Sequence, residues 1–163
     1  MQNSDEVIEN WNRYLRYRKE VDLLEHTLLL GDFSAISGLV KEALATPERR
    51  LYALEFAARL EVEQRKTLLP ELLAIACHVG PYIFRSRDVI MSLPAEWLVK
   101  NIEHVASPIL ENGDEEAYRR ILELYARIDA GLTRRLAEQA VSHSSPQVQD
   151  VGKEFLSNRA EMN

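Results

Sequence analysis

The feature that most constrains the fold of this chain is a helical repeat, with a period of about 33 residues that is typical of stacked helical hairpins. Helix-start signals fall at nearly equal steps along the chain, near Pro47, Pro81, Asp114 and Pro146. Between these signals apolar residues recur at intervals of three and four, and we find no alternation of apolar and polar residues bounded by hairpin turns. The sequence therefore predicts an all-α protein built from repeated helical units.

Residue content supports this period. Residues 53–61 read ALEFAARLE and residues 121–129, two full periods later, read ILELYARID, with four of nine positions identical. The period makes Leu60, Leu93 and Ile128 equivalent in the first helices, where we expect them to be buried. In the second helices it aligns Leu69, Ile102 and Leu136. Phe56 and Leu124 are further core candidates. A helical hairpin cannot bury its apolar face alone, so the units are expected to stack.

These units resemble HEAT or armadillo-type helical repeats over about residues 46–158. The resemblance rests on Thr46-Pro47-Glu-Arg-Arg-Leu in a first helix, Leu68-Leu69-Pro70-Glu-Leu-Leu in a second helix and Ser145-Pro146-Gln-Val in the last unit. It departs from the family at Gln149, where an arginine is usual. The resemblance implies a right-handed α-solenoid of HEAT-like helical hairpins with about eight or nine helices.

The same helical pattern predicts a single domain over residues 1–163. Residues 1–45 form an N-terminal capping helix pair, residues 46–145 form three HEAT-like hairpins, and residues 146–163 form a C-terminal half-repeat. In the capping pair the segment Trp11–Lys19 combines aromatic residues with four positive charges. We expect its aromatic side chains to pack as a solenoid cap, while a membrane surface or RNA are alternative targets.

Recognisable catalytic and metal-binding patterns are missing from the sequence. Cys77 is the only cysteine, there is no phosphate-binding glycine pattern, and no two histidines have ligand spacing. We therefore predict no enzyme activity, no metal and no cofactor. The longest apolar run has six residues, far below the roughly 20 that cross a bilayer. Since no export signal is apparent at the N-terminus, we expect a cytoplasmic protein that does not bind membranes.

The charge pattern points to protein binding. The net charge of −6 disfavours nucleic acid and favours a basic partner. On the concave face of a solenoid, Glu71, His104 and Glu138 would form a ridge, with Arg65 and Lys100 near its edges. The predicted function is a small cytosolic adaptor or inhibitor, including an immunity or antitoxin-like role, that binds another protein with a basic surface.

Two other classes of function stay open. First-helix arginines such as Arg85 and Arg119 could align into a phosphate-binding stripe, as in a nucleic-acid-binding or DNA-repair protein, although neighbouring acids such as Asp88 and Glu123 would neutralise it. A self-assembling helical protein is the other class, because the apolar stripe from Tyr14 to Leu28 follows a heptad. The oligomeric state is left open.

Overall fold

The structure is a computed structural model that describes residues 4–78 and 80–160. That part of the chain contains ten helices and no strand. The helices are α1 (Ser4–Leu30), α2 (Phe33–Ala45), α3 (Pro47–Arg59), α4 (Val62–Lys66), α5 (Leu69–Cys77), α6 (Ile83–Met91), α7 (Ala95–Glu111), α8 (Glu115–Ile128), α9 (Ala130–Val141) and α10 (Pro146–Ala160). The predicted all-α class is confirmed. The last three residues of the predicted half-repeat 146–163 lie outside the described residues.

The described residues form ten helices where eight or nine were predicted, because the connection between α3 and α5 is itself helical. Helix α4 begins with a capping box formed by Glu61 and Gln64. The Gln64 side-chain oxygen accepts a hydrogen bond from the Glu61 backbone amide at 3.1 Å. This pairing satisfies an amide that the first turn leaves without a helical partner, so one short turn of helix forms inside the first hairpin.

The helix starts agree with the sequence signals to within two residues. Pro47 and Pro146 are the first residues of α3 and α10, and α6 begins at Ile83. Asp114 caps α8, and its carboxylate accepts a hydrogen bond from a first-turn backbone amide at 3.0 Å. Proline at the first helical position and an acid at the N-cap therefore mark where these helices begin.

The chain divides into two compact units, Met1–Leu39 and Val40–Asn163. The boundary falls inside α2, and the predicted subdivision into residues 1–45, 46–145 and 146–163 remains a prediction. Within the second unit, helices that follow each other in sequence pack together: α5 with α6, α7 with α8, α8 with α9, and α9 with α10. Helices that do not follow each other in sequence also pack: α3 with α6, α5 with α7, α5 with α8, and α8 with α10.

The core of the second unit contains most of the positions that the sequence aligned. Of the positions that the sequence made equivalent, those that are buried are Leu60, Leu69, Leu93, Ile102 and Leu136. Ile128 is only half-buried, so the predicted equivalence of the three first-helix positions is incomplete. Leu124 is fully buried, but Phe56 is half-buried and is not the core residue that we expected.

Helix α1 has no buried residue. Trp11, Tyr14, Leu15 and Tyr17, which we expected to be covered as a cap, are each about half exposed or more. The rings of Trp11 and Tyr14 stack on each other with centroids 5.5 Å apart. The apolar side chains of this segment are thus exposed, and its role as a solenoid cap stays a prediction.

Candidate functional site

The three predicted ridge residues lie on the second helices, with Glu71 on α5, His104 on α7 and Glu138 on α9. Glu71 is half-buried, and one of its carboxylate oxygens lies 3.6 Å from Lys41 Nζ. Glu138 is exposed and accepts a hydrogen bond from Arg134 Nε at 2.8 Å. Both ridge carboxylates thus have a cationic partner within the chain.

The other predicted residues have different surroundings. His104 and Lys100 are exposed on α7. Arg65, on α4, is half-buried and donates a hydrogen bond to Ser92 Oγ at 2.7 Å. The polar contacts that the structure gives for the predicted residues are therefore with other side chains, and their common site stays a prediction.

Arginines of the first helices serve as contacts between helices. Arg87 is 4% exposed, and its guanidinium donates to the Arg120 carbonyl and to the Glu123 carboxylate, both at 2.9 Å. Arg119 donates to the Glu154 carboxylate at 3.0 Å. These arginines carry carboxylate partners, which a stripe that binds phosphate would have to give up.

A cavity of about 270 Å³ lies among helices α7, α8 and α9 and the loop that follows α9. Its lining combines apolar side chains with several polar groups, and it consists of Glu103, Ser107, Leu110, Glu111, Tyr118, Tyr125, Leu136, Gln139 and His143. Two lining residues, Glu103 and Gln139, directly neighbour the predicted ridge residues His104 and Glu138 in sequence. The cavity therefore shares helices α7 and α9 with the predicted ridge.

Tyr125 is the most deeply buried polar residue of this cavity. It is 1% exposed, and its hydroxyl has no hydrogen-bond partner in the structure. Burial is the main cause that raises the pKa of the Tyr125 hydroxyl, and the nearby Glu103 carboxylate raises this pKa further. The hydroxyl is therefore protonated at neutral pH. A buried hydroxyl without a partner is costly, so this group is a candidate contact for a ligand.

The charged groups of the cavity leave an excess of negative charge. The Glu103 carboxylate is held by Arg135 through two hydrogen bonds of 2.9 Å. The Glu111 carboxylate accepts a hydrogen bond from the Ser107 hydroxyl at 3.2 Å. Because the Ser107 hydroxyl is uncharged, this hydrogen bond does not neutralise the Glu111 carboxylate.

An aromatic wall completes the cavity. The rings of Tyr118 and His143 are tilted at 58° with centroids 5.3 Å apart. His143 Nδ1 accepts a hydrogen bond from the Ser145 backbone amide at 3.1 Å, which leaves Nε2 to carry the proton of the neutral ring.

Sequence reasoning missed this cavity because its residues come from separate helices. One signal was present: Tyr125 occupies the repeat position where the first hairpin has Ala57. Both residues are buried, so a small residue in one repeat is replaced by a large one with a polar tip in another. A buried hydroxyl needs a partner, and this substitution could have directed attention to α8.

Other chemistry finds little support in the described part of the chain. Cys77 is buried, and burial raises the pKa of its thiol to about 12, although Arg87 and Arg120 act in the opposite direction. Residues 4–78 and 80–160 contain no group of three or more His, Cys, Asp or Glu side chains placed to hold a metal ion. No helix in those ranges combines the length and apolar character that crossing a membrane requires.

Comparisons of the chain with protein-family models, with curated proteins and with solved structures returned no match. The resemblance to HEAT-type repeats therefore rests on the residues of this chain alone.

Proposed function

We propose that this chain is a non-catalytic protein-interaction module, a cytosolic adaptor or inhibitor that binds a partner protein with a basic surface. In this proposal the unit Val40–Asn163 is a right-handed α-solenoid of HEAT-like hairpins. Its second helices α5, α7 and α9 form the binding face, with Glu71, His104 and Glu138 along it.

The observation that carries the proposal is the set of contacts between helices one repeat apart. Helix packing joins α3 to α6, α5 to α7 and α8 to α10, and ion pairs support the same order. Arg85 lies 3.2 Å from Glu55 and Arg135 lies 2.9 Å from Glu103, and each glutamate belongs to the preceding repeat. A row of stacked hairpins presents equivalent side chains over an extended surface, which is how repeat proteins bind partners.

Charge supports a basic partner. The chain has a net charge of −6, and Glu138 is exposed while Glu71 is half-buried. Both have cationic neighbours, Arg134 and Lys41, so a partner would exchange existing ion pairs for new ones. Such exchange adds little to affinity but still speeds encounter, because long-range attraction precedes contact.

The test compares two baits of equal charge in capture from the native cell lysate. One bait carries Glu71→Lys with Glu138→Lys, and the matched control carries Glu48→Lys with Asp150→Lys on the first helices. We expect a partner that wild type and the control retain and the ridge variant loses. Its association rate should fall about tenfold or more in the ridge variant at low salt, with a smaller difference at high salt.

Two outcomes contradict this proposal. Equal association rates for both variants at low salt would exclude electrostatic capture on the ridge. Tight binding of the wild type to duplex DNA at near-physiological salt would favour the nucleic-acid class instead.

A second candidate function, self-assembly, is favoured by the exposed face of α1. The heptad stripe consists of Tyr14, Tyr17, Val21, Leu24 and Leu28, each between 42% and 64% exposed. Sedimentation velocity over a range of concentrations tests it, with Val21→Glu on the stripe and Leu23→Glu off the stripe as the matched control. An oligomer that only Val21→Glu dissociates supports self-assembly, whereas a wild-type monomer at about 100 μM, where a micromolar dimer would be associated, contradicts it.

A further inference from the structure

The cavity between α7, α8 and α9 has the size of a site for one side chain. Its volume of about 270 Å³ lies below the roughly 300 to 1,000 Å³ of pockets that hold drug-sized ligands and cofactors. A flexible chain of a few methylenes with a polar end group fits such a space.

The polar groups of the cavity select a positively charged end group. Glu103 is neutralised by Arg135, but the contact shown for Glu111 is with the neutral Ser107 hydroxyl. The Tyr125 hydroxyl oxygen, buried and without a partner, can accept a hydrogen bond from a cation. An anion entering the same cavity would meet the uncompensated carboxylate of Glu111, which repels it.

The remaining walls suit an aliphatic stem and a flat cation. Leu110 and Leu136 line the cavity and offer apolar surface to methylene groups. A planar guanidinium has several N–H donors in a fixed arrangement and is more weakly hydrated than an ammonium, so it can donate to two acceptors of the cavity at a lower desolvation cost.

We propose that this cavity binds an alkylguanidinium group, the side chain of an arginine on the basic surface of a partner protein. The guanidinium N–H groups donate to the Glu111 carboxylate and to Tyr125 Oη, and the methylene stem packs between Leu110 and Leu136. The identity of the source as a partner's arginine rests on the proposed function. The chemistry of the cavity does not, and it can be tested without any partner.

The test is an NMR titration of the full ¹⁵N-labelled chain with N-acetyl-arginine methylamide. We expect amide shifts centred on the cavity residues and a dissociation constant on the order of 1 mM, which is typical for one side chain. The matched ligand is N-acetyl-citrulline methylamide, which has the same shape without the charge. It should bind at least tenfold more weakly.

Paired variants assign the contacts. Tyr125→Phe removes only the hydroxyl and Glu111→Gln removes only the charge, and each should weaken binding about tenfold, the usual loss for a hydrogen bond to a charged group. Tyr52→Phe and Glu96→Gln are the matched controls at exposed positions on α3 and α7. The controls should leave the dissociation constant unchanged.

Several results overturn the assignment. Equal binding of the arginine and citrulline compounds, or unchanged binding in Tyr125→Phe, removes the proposed chemistry. A tenfold preference for free arginine over the blocked compound would mean that the α-groups are recognised, which excludes a partner's side chain as the source. A crystal soaked in the blocked compound that shows only a water at Tyr125 Oη also overturns it.

The two proposals fail separately. A cavity that does not bind the arginine compound leaves ridge-dependent capture of a partner intact. Loss of ridge-dependent capture leaves a measured guanidinium site without an assigned source.

Discussion

Helix α1 and the helices of the unit Val40–Asn163 carry the same kind of apolar spacing and differ completely in burial. None of the residues of α1 is buried, and Leu24 is 64% exposed. In the other unit Leu73 and Ile102 are fully buried. A spacing of three and four residues therefore predicts a helix and its apolar face. Whether that face is covered depends on a second surface, which local spacing does not report.

The largest difference between the two regions is expected in the reactivity of a cysteine thiol placed in each of them. The pKa of the Cys77 thiol is raised to about 12 from an ordinary value of 9.0, chiefly by burial. At pH 8 its thiolate fraction is therefore about a thousandfold lower than in an unfolded chain. We expect Cys77 to resist alkylation by iodoacetamide in the native protein and to react readily in urea.

The matched reporter is Leu23→Cys in a Cys77→Ala background, since Leu23 is 67% exposed on α1. This thiol should react at nearly the rate of a free cysteine, as followed by mass spectrometry. Fast alkylation of native Cys77 would show that its surroundings open readily and would reduce the contrast between the two regions.

The raised pKa of the Cys77 thiol also makes the folded protein less stable as pH rises above 9. The folded chain holds the Cys77 proton up to about pH 12, whereas the unfolded chain loses it near pH 9. The stability linked to this group is therefore complete below pH 9 and is lost as pH rises toward 12, by up to about 1.4 kcal/mol per pH unit. Urea unfolding at pH 8, 9 and 10 should show a steeper loss for wild type than for Cys77→Ala.

Truncation of leucine tests the same contrast in energetic terms. Leu124 has no solvent exposure, and Leu124→Ala should lower the free energy of unfolding by about 2 to 5 kcal/mol. Leu24→Ala on α1 should lower it by less than about 0.5 kcal/mol. Urea denaturation followed by circular dichroism measures both. Similar losses for the two variants would mean that the stripe of α1 is covered in solution.

The parts of the fold that sequence could predict are those set by short-range signals. The helix starts at Pro47 and Asp114 depend on caps that are readable within a few residues. Phe56 and Ile128 were expected to be buried because they lie on the apolar faces of their helices. They are only half-buried, since the degree of burial depends on which neighbouring helix covers each side chain. Local chemistry thus fixes where helices begin, and long-range packing fixes how deeply a side chain is buried.

In the candidate site, too, short-range signals predicted some residues, whereas long-range packing brought the others together. His104 and Glu138 were selected because they occupy corresponding positions on second helices. The cavity beside them needs Tyr125 from α8 and Glu111 from α7, which are joined by packing and by no spacing in the chain. The one sequence signal for the cavity is that Tyr125 occupies the position that aligns with Ala57 in the earlier segment.

Two glycines within helices show how closely the backbone of each unit is packed. Gly152 in α10 approaches α9 so closely that an added Cβ would lie 2.7 Å from the Ala137 carbonyl oxygen and 2.8 Å from the Val141 amide nitrogen. Gly38 in α2, within the unit Met1–Leu39, has no atom within 4 Å of the same position apart from its chain neighbours and the backbone of its own helix. The same residue type therefore meets a packed helix in one unit and open space in the other.

Alanine at these glycines should change stability in opposite directions, with the smallest effects that we predict. Gly38→Ala should raise the free energy of unfolding by about 0.5 to 1 kcal/mol, because alanine favours a helix over glycine and nothing obstructs its methyl group. Gly152→Ala gains the same propensity, but the backbone of α9 cannot rotate away as a side chain can. Separating α10 from α9 should cost about 1 to 3 kcal/mol, so the net result is a loss of roughly 1 kcal/mol. Urea unfolding of both variants beside wild type measures the difference, and stabilisation by Gly152→Ala would show that α10 does not pack against α9 as closely as the structure has it.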